Sequence, residues 1–97
     1  MTKAYWVGLV TVDDPAAYDA YRQANAAAFE KYGARFLVRG GAAEVVEGNV
    51  RPRVVVIEFP DLQTARDCWH SPEYQAARAL RLPVSDADLV IVEGWGG

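Results

Sequence analysis

The stretch Arg53-Val54-Val55-Val56-Ile57-Glu58-Phe59, closed by Pro60, decides how this chain folds. A short run dominated by β-branched residues and ended by a proline reads as a strand. Val54 to Ile57 place apolar side chains on both parities. An antiparallel sheet covered on one side alternates apolar with polar residues, so this strand asks to be buried on both faces. Leu89-Val90-Ile91-Val92, inside a second predicted strand over 88–94, makes the same demand.

Working back from there, residues 4–12 (AYWVGLVTV) read as a strand that ends at Asp13-Asp14-Pro15. Asp14 caps a helix and Pro15 takes its first position. Tyr18, Tyr21, Asn25, Ala28, Phe29 and Tyr32 then recur at three- and four-residue steps as far as Gly33, where a left-handed cap is wanted. Residues 34–39 (ARFLVR) form the next strand, Gly40-Gly41 within the run to Val46 predicts a bulge or sharp bend, and Gly48-Asn49 turns the chain.

Past Pro60, Asp61 caps a short helix bearing Leu62, Ala65 and Trp69 that stops near His70. Ser71-Pro72-Glu73 restarts helical structure, with Tyr74, Ala77 and Arg81 on one face, until Pro83 ends it. The order is β-α-β-β-α-β with the second helix broken. That is the ferredoxin-like α+β arrangement, a four-stranded antiparallel sheet with its helices on one face. The 97 residues fit one domain, spanning 1–97. Two helices cover only one face of the sheet, so the apolar strands predict a homodimer in which the helix-free faces of two copies meet.

Composition narrows the partners. Hydrophobic residues make up 52% and charged residues 24%, which suits a folded domain. The net charge is −3, with no Lys/Arg cluster to neutralise a phosphate backbone, so no nucleic-acid partner is expected. No apolar run approaches the length of a bilayer span and no signal-peptide core opens the sequence, so no membrane partner and a cytoplasmic location are expected. Cys68 is the only cysteine; it forms no intrachain disulfide and reads as a buried small hydrophobe.

Several segments together carry a family pattern: Tyr5-Trp6-Val7, Asp14-Pro15 with Tyr18 and Tyr21, Arg39-Gly40-Gly41, Glu47-Gly48, the segment from Arg53 to Pro60, Ser71-Pro72-Glu73-Tyr74 and Leu80-Arg81. In these the chain resembles the domain-of-unknown-function family 1330 over nearly its whole length. The resemblance implies a dimeric α+β barrel. That superfamily includes antibiotic-biosynthesis monooxygenases, haem-degrading enzymes, chlorite dismutases and muconolactone isomerases, and the family itself has no assigned activity. Kinship of fold across so many chemistries leaves function to be argued from the site.

Charges inside apolar strands are the first candidates for chemistry: Arg39, Arg53, Glu58 and Glu93. If Arg39 or Arg81 meets Glu58 between sheet and helices, the three could anchor a small carboxylate or enol, with Glu58 as the catalytic base. The plainer reading is an ion pair that fixes the barrel or its dimer seam. Tyr18, Tyr21, Trp69 and Tyr74 form the second set, a pocket for a flat ligand or simply packing.

His70, the only histidine, cannot build a metal site alone and reads as a surface residue near a helix end. Haem-binding members of the resembled superfamily use a histidine on the helix over the barrel, where this chain offers Arg78 and Arg81. No nucleophile elbow, dinucleotide fingerprint or P-loop is present, so neither metal nor cofactor is expected. Two functions follow. One is a small-molecule binder or cofactor-independent enzyme for a small anionic or enolisable ligand; the other is a non-catalytic dimeric module. A cleft of at least ~300 Å³ reached by Glu58 and an arginine favours the first. A filled cleft with its arginines consumed by other contacts favours the second.

Overall fold

The computed structural model of the chain describes residues 2–96. Its elements run β1 (Ala4–Val12), α1 (Pro15–Lys31), β2 (Arg35–Arg39), β3 (Arg53–Phe59), α2 (Leu62–His70), α3 (Pro72–Arg81), a single 3₁₀ turn (Leu82–Val84) and β4 (Ser85–Glu93). The strands form one antiparallel sheet in the order β2-β3-β1-β4, the ferredoxin-like split βαβ layout. No helix among the described residues is long and apolar enough to cross a membrane.

Local chemistry sets the element ends. The Asp14 carboxylate accepts from the Ala17 amide at 3.2 Å, the Asp61 carboxylate from Thr64 at 2.7 Å and the Ser71 hydroxyl from Tyr74 at 3.1 Å. Each satisfies an amide that the first helical turn leaves without a partner. Gly33 (φ 66°) takes the left-handed position that closes α1. Two boundaries differ from the sequence reading. The ladder irregularity of β2 falls between Phe36 and Val38 rather than at Gly40-Gly41, and the strand stops at Arg39. β4 starts at Ser85, three residues before the predicted start at residue 88, because Ser85, Asp86 and Ala87 pair with Val12, Thr11 and Val10 of the long first strand.

Alternation along the strands then separates two environments. Ala4, Trp6, Val10, Ile57 and Phe59 point toward the helices and are buried. Trp6 is their centre. Its ring packs edge-to-face on Phe29 at 5.4 Å, Trp69 at 5.8 Å and Tyr74 at 4.8 Å, and its indole N–H donates to the Ala65 carbonyl at 3.0 Å. Cys68 is fully buried beside this cluster, and burial pushes its thiol up to about 12. In native protein Cys68 is therefore expected not to react with an aromatic disulfide at pH 8, and to react fully once urea unfolds the chain. Fast labelling of folded protein would contradict that burial.

The other face of the sheet carries no helix. Register places Val38, Val56, Val7 and Val90 side by side, one from each strand, as an unbroken row of valines across it. Leu9 and Val54 form the next row on one side, and Tyr5, Glu58 and Val92 the row on the other. Val90 and Val92 are 54% and 44% exposed in the protomer. Both faces of the central strands are apolar, as the sequence requires, and helices cover one of them.

Candidate functional site

Between the sheet and α1 lies a narrow cleft floored by Val55, Ile57 and Leu89 and walled by Phe29 and Phe36. Four arginines also line it: Arg22 from α1, Arg39 from the end of β2, Arg53 from the start of β3 and Arg81 from the last turn of α3. No carboxylate does. Among the described residues Arg22 has an exposed partner in Asp19 at 3.5 Å, whereas Arg39, Arg53 and Arg81 make no ion pair. Like charges gathered round an apolar cavity repel one another, and an anion between them relieves the repulsion.

Aromatic faces hold three of these side chains. The Arg39 guanidinium lies 4.1 Å from the Phe36 ring centre, Arg53 lies 5.5 Å from Tyr18 and Arg81 lies 5.4 Å from Tyr21. Stacking leaves guanidinium N–H groups free in the ring plane to meet an acid. Arg81 is 6% exposed and donates to the Tyr74 hydroxyl at 3.3 Å, while the Tyr21 and Tyr74 hydroxyls lie 3.0 Å apart. Burial first, and the nearby Tyr74 second, hold the Tyr21 phenol far above its ordinary pKa, so it stays protonated.

Gly40 shapes the mouth. Its amide donates to the Val54 carbonyl at 2.9 Å and its φ is 72°, while a β-carbon at this position would fall on the Arg53 guanidinium. Glycine serves both the left-handed backbone and the close approach. The cavity encloses about 30 Å³. That is room for a water molecule or a single functional group, not for a whole drug-sized ligand.

Two buried polar atoms at this cleft lack a partner, Asn25 Oδ1 and Arg53 Nε. Asn25 is 3% exposed, and its side-chain carbonyl oxygen has no donor within hydrogen-bond distance. An unsatisfied buried group costs on the order of 1–3 kcal/mol, which a correctly shaped ligand recovers.

The candidates from sequence divide accordingly. Arg39, Arg81, Tyr18 and Tyr21 meet at the cleft. Tyr74 is fully buried beneath it, joined to Tyr21 and Arg81. Trp69 faces a neighbouring open groove of about 330 Å³ on the other side of Arg81, with Arg78 stacked 5.1 Å from its ring. His70 is exposed at the end of α2 and Glu93 at the end of β4.

Glu58 is a correction. It does not enter the cleft and meets neither Arg39 nor Arg81. Ile57 and Phe59 face the helices, so the residue between them points to the open face, where the Tyr5 hydroxyl donates to it at 3.4 Å and Lys3 lies 3.8 Å away. The residues the sequence reading left out of the site are Arg22 and Asn25, while Arg53, singled out there as a strand charge, was not placed in the site. Arg53 has the parity of Ile57 and Phe59, and Asn25 lies on the stripe of Tyr18, Tyr21 and Phe29, so both signals were present.

Solved structures share this fold at low identity. A protein of unknown function from Rhodopseudomonas palustris is 19% identical with a TM-score of 0.75, the match covering 99% of this chain and 85% of that one. SnoaB, a cofactor-independent oxygenase from Streptomyces nogalater, is 15% identical with a TM-score of 0.64, covering 100% and 97%. A dimeric protein of unknown function and ferredoxin-like fold from Bacteroides fragilis is 15% identical with a TM-score of 0.62, covering 95% and 96%. No curated protein matches the sequence. The segments that suggested a family are borne out: the model of "Domain of unknown function (DUF1330)" matches residues 3–95, and the chain belongs to that family.

Proposed function

We propose that this protein is a homodimeric small-molecule binder whose sheet–helix cleft takes a small organic anion, with Arg53 and Arg81 as its inner contacts and Arg22 and Arg39 at the mouth. The observation that carries the reading is four arginines and no carboxylate around one apolar cleft, in a chain whose net charge is −3. Such a distribution concentrates the positive potential where an anion would sit. The apolar walls favour an acid with a hydrocarbon body over a bare inorganic ion.

The cleft residues supply no carboxylate, imidazole or thiol. Turnover at this site would draw on the ligand's own acidity, with arginine stabilising developing negative charge. SnoaB, a cofactor-independent oxygenase of similar fold, makes such a role compatible with the architecture and no more. Two observations favour the rival reading of a non-catalytic module: at about 30 Å³ the cleft is nearly filled, and Glu58 does not reach it. Against it, Arg39 reaches only the Arg22 carbonyl, at 3.5 Å, and both side chains are exposed and can swing outward.

The helix-free face supports the dimer. Its row of valines is a contiguous apolar strip of the kind stable monomers rarely expose, and the similar Bacteroides fragilis protein is dimeric. Both sheets then gain a second apolar layer, which a chain of this length needs.

Thermal unfolding with 10 mM propionate, benzoate or phenylacetate tests the binding. At least one acid is expected to raise the midpoint of the wild type by several degrees, through mass action on the folded state. Arg53→Met is expected to lose most of that rise, and Arg66→Met, which removes an exposed charge on α2, to keep it. Equal responses of the two variants would place the anion elsewhere.

A further inference from the structure

Resting on the anion-binding reading above, we infer that the ligand of this cleft is a hydroxy acid, an organic anion carrying a hydrogen-bond donor close to its acid group. Two buried atoms without partners point to it, and they ask for opposite things. Arg53 Nε–H wants an acceptor, which a carboxylate supplies. Asn25 Oδ1 wants a donor, which a carboxylate cannot supply and a hydroxyl can.

The surroundings offer Asn25 no donor of their own. No donor lies within hydrogen-bond distance of Oδ1, the Tyr21 hydroxyl lying against Tyr74 and Arg81 donating to Tyr74. Asn25 is 3% exposed and cut off from bulk solvent, so a ligand hydroxyl competes here only with a single water that the cavity has room to hold. Asn25 and Arg53 line the same small cleft, so donor and acid belong on the same or adjacent carbons of one molecule. The hydrocarbon remainder lies toward Phe36 and the mouth, entering as the exposed Arg39 and Arg22 side chains move aside.

The experiment uses pairs of acids that differ by the hydroxyl alone, lactate against propionate and mandelate against phenylacetate, titrated calorimetrically into wild type and into Asn25→Leu. Wild type is expected to bind each hydroxy acid about five- to tenfold more tightly than its partner, the yield of one good hydrogen bond to a buried acceptor. In Asn25→Leu the ratio of hydroxy acid to plain acid affinity is expected to fall to about one, whatever the change in the affinity of the plain acids themselves. The Asn25 side-chain amide resonances of the wild type are expected to shift with lactate or mandelate and stay in place with propionate or phenylacetate, a readout that holds even if the leucine variant does not fold. Plain acids that bind as tightly as hydroxy acids would overturn the inference and leave anion binding intact. Failure of all four acids to bind would overturn both.

Discussion

Trp6→Ala is expected to lower the stability of the folded chain by about 3–5 kcal/mol, a large share of what a domain of this size possesses. Several losses coincide at this one residue. The indole is 1% exposed and fills the space between β1, α1 and the α2–α3 pair, so alanine leaves a cavity walled by Phe29, Phe59, Trp69 and Tyr74. Rigid aromatic rings anchored on four elements cannot collapse into that space, which places the cost at the upper end of the range. The edge-to-face contacts add to the burial. The Ala65 carbonyl also loses one of its donors, the indole N–H. By thermal melting the midpoint should fall by roughly 15–30 °C. Trp6→Phe keeps a ring in place and should cost less than half as much. A drop below about 1 kcal/mol for alanine would mean that Trp6 is not the hub of the core.

The second large effect concerns assembly. Val7→Asp puts a carboxylate in the middle of the valine row, between Val56 and Val90, on the face that the proposed dimer buries. An uncompensated buried charge costs about 3 kcal/mol or more, and two-fold symmetry counts it twice. The dissociation constant should therefore rise by about four powers of ten. Sedimentation of wild type at micromolar concentration is expected to give a dimer, and of the variant a monomer with unchanged far-ultraviolet dichroism, since in one protomer this side chain faces solvent. A wild type that sediments as a monomer would remove the dimer altogether. A variant that stays dimeric would move the interface to another surface.

Most of the architecture was legible because each element carries its own local instruction. Asp14-Pro15, Gly33, Asp61 and Ser71-Pro72 mark helix ends by hydrogen bonds and backbone preferences that do not depend on the rest of the chain. The two-sided apolar runs at Val54–Ile57 and Leu89–Val92 were equally plain. What failed locally was decided by pairing. Ser85, Asp86 and Ala87 have no strand signal of their own and become strand because Val10, Thr11 and Val12 lie alongside. Gly40 resembles a bulge in sequence, and in the fold it ends the strand and makes room for Arg53.

The site was half legible for a related reason. Arg39 and Arg81 were singled out as unusual charges, and that logic is sound, but a charge in a strand has meaning only with its parity. Counting by twos from Phe59 puts Arg53 with Ile57 on the helix side and Glu58 on the other. Applied to the sequence alone, the same count removes Glu58 from the cleft. Asn25 stood on the helix stripe and was read as packing; its missing donor is a property of the folded neighbourhood that no spacing encodes.

The most direct test of anion binding is the Nε–Hε resonance of Arg53, identified by its loss in Arg53→Met, during titration with propionate and, in parallel, with neutral propionamide at matched ionic strength. The account predicts a saturable downfield shift with propionate as a carboxylate takes up the unpartnered donor, and none with propionamide. An Arg53 resonance that ignores propionate, or that drifts equally with both, would contradict it.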